Sequence, residues 1–305
     1  GTMIELNQLV KKFDTTPVLD GVDLTIPTGT AFGLLGSNGA GKSTILRLIS
    51  GIYRPEGGEL LVDGQPAYDN VLTKQRIFFI NDETVQFTSY TLEELKNFYK
   101  PYYPNFYEEA FENLRANIKL PLKKKLSTFS KGMKRQAIVI IALACRTDYL
   151  LLDEAFDGLD PTMRIIVKRM IVDAMLDRNL TTIISSHNLK EINEVCDTVA
   201  LLHQGKIVFS RELDSVKSSI HKLQVVPGAG QQLDAERAKA LGVEVMHFEQ
   251  SSSVCYIIAK GTEEELRQCL APIDPVVLDV IPLTLEEIFI YELEVLGYDS
   301  NAITE

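Results

Sequence analysis

The chain has no tryptophan, and only four cysteines and four histidines among 305 residues. Cys145, Cys196, Cys255 and Cys269 are scattered, with no CxxC pair. That excludes a thiolate metal knuckle and leaves reduced core thiols, as expected of a cytoplasmic protein. Long apolar runs are missing too. The strongest, AIVIIALAC from Ala137 to Cys145, is about half of the roughly 18 residues a membrane span needs. Basic residues are outnumbered, 31 Lys and Arg against 42 Asp and Glu, for a formal charge of −11. Broad nucleic-acid binding needs a basic footprint, so no nucleic acid is expected as a partner. No signal peptide opens the chain; Gly1 and Thr2 before Met3 read as residues left by cloning, with Met3 as the natural start.

What is present is ordinary globular composition, 45% hydrophobic and 24% charged, with room for two domains. MIELNQLVKKF alternates like a half-buried strand, and VLDGVDLTIPTG follows as another, broken by Pro27 and Gly29. TAFGLLG is a buried strand running into a glycine loop, and TILRLISGIY continues at helical spacing. GELLVDGQPA suggests a hairpin and RIFFIND a further buried strand. From Thr91 to about Leu126 the pattern is helical and aromatic. The strand YLLLDEA, a helix from Pro161, the strand TTIISSH, a helix from Asn188 and VALLHQGKIV complete an alternation that predicts a largely parallel sheet with helices on both faces. After Ser210 the series becomes strand, helix, strand, strand, helix, strand, then a final helix TLEEIFIYELEVL. That order predicts a small α+β domain of ferredoxin-like type. The expected division is an ATPase domain over 3–211, with a helical part over about 83–128, and an accessory domain over 215–305.

Gly36-Ser37-Asn38-Gly39-Ala40-Gly41-Lys42-Ser43-Thr44 matches GxxxxGK[ST]. Glycines let backbone N–H groups turn around phosphate oxygens, and the following helix adds the positive end of its dipole. Lys42 is placed to reach the terminal phosphates and Ser43 to ligate Mg²⁺. Leu150-Leu151-Leu152-Asp153-Glu154 ends a buried strand on two acids. Asp153 is expected in the metal sphere and Glu154 as the group that polarises the attacking water. A glycine turn without ligand, or a strand end with solvated acids, is the plainer reading of each motif alone.

GSNGAGKST, SKGMKRQ, LLLDE, GLDP and a strand ending in SSH occur in that order. The set resembles the ATP-binding-cassette (ABC) ATPases over about Ile4 to Arg211. The resemblance implies a P-loop NTPase cassette with a mostly parallel core, an antiparallel β subdomain and a helical subdomain. It implies ATP and Mg²⁺ as ligands and head-to-tail pairing, in which Ser130 and Gly132 of FSKGM cap the γ-phosphate held by the opposite chain. A plain helix capped by Ser130 is the other reading of FSKGM. Phe13 matches the aromatic that stacks on adenine, Asp160 the loop crossing the dimer interface, and His187 the switch histidine. A core residue of the first strand and a helix N-cap are the plainer readings of Phe13 and Asp160. The usual signature is LSGGQ; here Phe129, Lys131 and Met133 depart from it, while Ser130 and Gly132 remain. The family's glutamine loop is the weakest match: Asp82 occupies it, with Asn81 beside it, and is expected in the metal sphere. Gln86 lies further along.

The implied function is the ATPase subunit of a transporter with its transmembrane permease on another polypeptide, at the cytoplasmic face of the membrane. The aromatics Tyr99 to Phe111 could line the groove for that partner, or form a local helical core. A non-transport cassette of DNA repair or translation is the alternative, but a single cassette without long heptad insert or cysteine cluster argues against it. SKGMKRQ and GLDP argue against a stand-alone switch or kinase. The SKGM form, Asp157-Gly158-Leu159-Asp160 and the C-terminal helix resemble bacterial ABC-2-type exporters. One chain supplies both Lys42 and Ser130, so a homodimer suffices, and pairing with a related ATPase chain stays open.

Overall fold

The computed structural model describes residues 3–82 and 87–299. The chain divides between Ser210 and Arg211 into two compact units.

The first unit contains, in order, β1 (Met3–Phe13), β2 (Thr16–Pro27), β3 (Ala31–Leu35), α1 (Lys42–Ile49), β4 (Gly57–Val62), β5 (Gln65–Pro66), α2 (Val71–Lys74) and β6 (Ile77–Ile80). Then follow α3 (Leu92–Tyr99), α4 (Glu108–Ile118), α5 (Lys131–Ala144), β7 (Tyr149–Asp153), α6 (Pro161–Asp177), β8 (Thr181–Ser186), α7 (Leu189–Val195), β9 (Thr198–His203) and β10 (Lys206–Glu212), whose last two residues, Arg211 and Glu212, belong to the second unit. Strands β2, β1, β4 and β5 form an antiparallel sheet in that order. The segment VALLHQGKIV turns at Gln204-Gly205, both at positive φ, and so becomes two strands.

The second sheet runs β10-β9-β3-β8-β7-β6, and its pairs from β9 to β6 are parallel. Every residue of β3, β7 and β8 is buried, which is why β3 and β7 read as apolar runs rather than alternating ones. Leu35 pairs with Ser186 and Asp153 with Ser185. The C-terminal ends of three strands therefore meet at one edge, where open α/β sheets bind their ligands. The apolar run AIVIIALAC belongs to the 14-residue α5, buried from Arg135 onward. Among the described residues no helix is long and apolar enough to cross a membrane.

A polar anchor ties the two sheets. Asp63, in the turn between β4 and β5, accepts hydrogen bonds from Met3 N at 2.8 Å and Tyr149 Oη at 2.7 Å, and pairs with Arg76. Burial raises its pKa, but the Tyr149 and Arg76 interactions outweigh it and hold the carboxyl below its ordinary value. Cys145, Cys196 and Cys255 are buried thiols, and burial pushes the pKa of each up.

The second unit contains α8 (Leu213–Lys217), β11 (Ile220–Val226), α9 (Ala235–Ala240), β12 (Glu244–Ser251), β13 (Val254–Lys260), α10 (Glu263–Leu270), β14 (Val277–Ile281) and α11 (Leu285–Val295). Its sheet is antiparallel, in the order β12-β13-β11-β14. Placing the first strand between the third and fourth is the ferredoxin-like arrangement. Leu223, Val225, Ile257, Leu266 and Leu270 fill its core. Capping boxes Thr262/Glu265 and Thr284/Glu287 start α10 and α11. Buried Glu292 on α11 accepts from Arg211 at 2.9 Å and from Ser219 Oγ at 2.8 Å.

Candidate functional site

The glycine loop leaves the end of β3 at Gly36. A Cβ on Gly36 would lie 2.5 Å from the Leu202 carbonyl oxygen, so only glycine fits. Gly39 and Gly41 have φ of 84° and 110°, in the left-handed region that glycine enters without penalty. A Cβ on Gly39 would meet nothing within 4 Å, so this part of the loop faces open space. Lys42 opens α1 and is 5% exposed. Its ammonium donates to the Gly36 carbonyl and lies 3.2 Å from Glu154 Oε1. The first turn of α1 holds no acidic residue, so nothing in that turn neutralises the positive end of its dipole.

Ser43 Oγ donates to Asp153 Oδ1 at 3.0 Å, and Ser185 Oγ donates to the same oxygen at 2.7 Å. Ser185 also accepts from Glu154 N at 3.1 Å. Sequence reasoning noted the SSH strand end but missed this role; the pairing of Asp153 with Ser185 in register is the signal. Glu154 sits at φ 49°, uncommon for a non-glycine residue and costly to hold. Its Oε1 is buried, paired with Lys42 but without a hydrogen bond. Its Oε2 lies 3.2 Å from His187 Nδ1. The structure thus brings Lys42, Ser43, Asp153, Glu154 and His187 into one cluster.

This cluster fits a nucleotide triphosphate with a hard cation. A carboxylate oxygen buried without hydrogen bond beside an ammonium leaves acceptor and donor capacity facing the open loop. Ser43 and Asp153 supply oxygens of the kind Mg²⁺ takes.

Among the described residues no hydrogen bond joins Asp82 to Ser43 or Asp153, although Asp82 and Asp153 both act on the Arg135 charge. The Asp82 side chain is 84% exposed and contacts Arg135 at 3.4 Å. Arg135 reaches back from α5 and also donates to the Asn81 carbonyl at 3.5 Å. Burial pushes the Arg135 pKa down, against the pull of Asp82 and Asp153. A buried guanidinium needs an anionic neighbour, and this draws Asp82 toward Arg135. Gln86 lies outside the described residues.

Ser130 is the N-cap of α5, its Oγ accepting from Met133 N at 3.1 Å. A Cβ on Gly132 would meet Met163 Cγ at 2.6 Å, so glycine is what lets this turn approach α6. Asp160 caps α6, accepting from Met163 N at 2.9 Å ahead of Pro161. Among the described residues no hydrogen bond or ion pair joins Ser130, Gly132 or Asp160 to Lys42. Phe13 is 42% exposed and therefore not a core residue. Its ring packs edge-on against Tyr53 at 5.4 Å, with the Lys11 ammonium 5.3 Å from its centre.

A family model described as ABC transporter matches residues 19–157. The ABC transporter ATP-binding protein YtrB of Bacillus subtilis is 32% identical over 289 residues, spanning 94% of this chain and 97% of that protein. The chain belongs to the ABC transporter ATP-binding family. The bacitracin transport ATP-binding protein BcrA of Bacillus licheniformis is 29% identical over 241 residues, 72% of this chain and 73% of its own length. A solved ATP-binding subunit of an ABC transporter superposes with TM-score 0.64 at 25% identity, covering 70% of this chain and 92% of that one. An Atm1-family exporter with ATP bound shares the fold at TM-score 0.61 and 22% identity, over 70% of this chain and 39% of that one. This ABC ATPase is accordingly an ATP-binding and ATP-hydrolysing transporter subunit. Like other subunits of the family, it dimerises and works with transmembrane subunits.

Proposed function

We propose that this ABC ATPase drives export as a homodimer held at the cytoplasmic face of the membrane by a separate permease of the ABC-2 type. The observation that carries the reading is the cluster of Lys42, Glu154 and His187 beside the Ser43–Asp153 pair. Backbone N–H groups of Gly36 to Thr44 surround the phosphates, and Lys42 exchanges the Gly36 carbonyl and Glu154 for terminal phosphate oxygens. Phe13 offers its exposed face to adenine. Ser43 and Asp153 would hold Mg²⁺, which would supply charge neutralisation for the phosphates. Glu154 accepts the proton of the attacking water, and His187 keeps the carboxylate aimed. Ser130 and Gly132 close over the partner's γ-phosphate, with Asp160 in the crossing loop.

The direction of transport rests on the SKGM signature form. For the permease contact, the aromatic segment divides. Tyr99 and Tyr103 pack on Phe78 of β6, and Phe111 is buried, whereas Phe98 and Tyr102 are exposed. Within Tyr99 to Phe111, the exposed Tyr102 and Tyr107 are the groove candidates, with Phe98 beside Tyr102.

Chelation of Mg²⁺ is expected to stop ATP hydrolysis by the purified chain. Lys42→Ala is expected to weaken ATP binding by about 10- to 100-fold, the worth of one charge-assisted hydrogen bond. Hydrolysis that persists in EDTA, or an unchanged ATP affinity of Lys42→Ala by calorimetry, would sink this assignment.

We assign the second unit an accessory role, regulatory or dimer-stabilising, because each of the site residues above lies before it. A chain ending at Glu212, which retains β10, is expected to bind ATP with the affinity of the whole chain. Loss of binding in that folded fragment would count against the division.

A further inference from the structure

At the opposite ends of the same strands lies a second polar cavity of about 380 Å³. Thr28, Arg76, Asp148 and Asn179, which line it, precede β3, β6, β7 and β8. Two carboxylates and three guanidinium groups face it: Asp63, Asp148, Arg76, Arg146 and Arg178. Arg76 takes both carboxylates, with Asp148 at 2.6 Å and Asp63 on its other arm. Arg146 and Arg178 are left over, and among the described residues neither forms an ion pair. Arg178 Nη1 donates to the Thr147 carbonyl at 2.5 Å, but its Nη2 is buried without a hydrogen-bond partner. The Arg146 guanidinium lies 4.4 Å from the centre of the Tyr107 ring, and its backbone is held at φ 50°. Burial, then the Arg146 charge, push the Arg178 pKa down, while Asp148 and Asp177 act the other way.

A buried donor without acceptor costs about 1–3 kcal/mol, more when charged. Arg178 carries this deficit, and the more exposed Arg146 guanidinium beside it adds a second positive charge without an ion-pair partner among the described residues, so the pair calls for an anion. We propose that Arg146 and Arg178 form a phosphoryl-binding site, separate from the nucleotide loop, for free phosphate or the phosphate of a monoester. A phosphoryl group carries up to two charges and three acceptor oxygens, enough for two planar forks, whereas one carboxylate satisfies a single fork. The cavity lies in the size range of small-ligand sites. The same two arginines also line an adjoining cavity of about 960 Å³, where Glu109, Asp173 and Asp177 stand alongside an apolar wall of Leu114, Leu143 and Met170 that offers room for the organic part of a monoester.

The test uses the full chain with its nucleotide loop filled by a non-hydrolysable ATP analogue, titrated calorimetrically at fixed ionic strength. Inorganic phosphate and phenyl phosphate are the two probes. One additional site is expected, weakened about tenfold or more in both Arg146→Gln and Arg178→Gln. Arg237→Gln, which removes the same charge from the second unit, should leave it unchanged. Among the described residues the Arg146 side chain makes only the ring contact with Tyr107, so its variant reports on the site even if Arg178→Gln is destabilised. Equal affinity for both probes assigns the site to bare phosphate, and tighter phenyl phosphate assigns it to a monoester. No binding of either probe, or equal losses in Arg146→Gln and Arg237→Gln, would overturn the site.

Discussion

Glu154→Gln is expected to keep ATP bound while turnover falls by about 10²- to 10⁴-fold, the usual worth of a positioned general base. The amide keeps the shape of the carboxylate, and Ser185 still holds the backbone at residue 154. It cannot accept the proton of the attacking water. The substitution also removes the anion 3.2 Å from Lys42, which competes with the terminal phosphate for the ammonium. ATP affinity should therefore hold or rise while hydrolysis collapses. A merely structural role for Glu154 predicts the opposite pair, weaker binding and comparable turnover. Single-turnover rates and calorimetric affinities on the same preparation separate the two. Turnover within a factor of two of the parent would show that Glu154 is not the base.

Much of this site was legible because its chemistry is local in sequence. The loop from Gly36 to Thr44 needs glycines where backbone must turn left-handed or pass Leu202, and each such position carries one. One strand end was legible for another reason: β7 is buried along its length, so a run of apolar residues ending in Asp153-Glu154 stands out. What joins them was not legible. Whether Ser185 or another hydroxyl meets Asp153 depends on strand order and register, set by packing of distant segments. Asp82 shows the same limit. A strand end with a carboxylate suggests a metal ligand, and nothing local shows that α5 delivers Arg135 to it from 53 residues away. The second unit was legible through its order of strand-like and helical segments, whereas the capping boxes that start α10 and α11 went unread. Its strand order, with β11 between β13 and β14, followed only from matching the series to a known arrangement.

ATP with Mg²⁺ is expected to pair two copies of Glu154→Gln, and an acidic residue at position 130 to prevent it. In one chain Ser130 only caps α5, and Asp160 only caps α6. Neither cap consumes the phosphate-facing capacity of this turn: Ser130 Oγ accepts from Met133 N, leaving its hydrogen free to donate. The α5 dipole favours an anion there, and head-to-tail pairing would supply the γ-phosphate of the partner. ADP lacks that phosphate and should leave the chain monomeric. Removing the cap alone costs about 0.5–2 kcal/mol of helix stability, so a charge effect must be separated from a folding effect. Ser130→Asp makes the separation, because aspartate caps as well as serine while placing a negative charge against the partner's phosphate. Light scattering of Glu154→Gln with ATP should report a dimer. The same measurement on Glu154→Gln with Ser130→Asp should report a monomer whose ATP affinity is unchanged. Ser130→Ala, which loses the cap but adds no charge, should weaken the dimer without abolishing it. Equal dimerisation of the aspartate and serine forms would leave Ser130 a helix cap and nothing more.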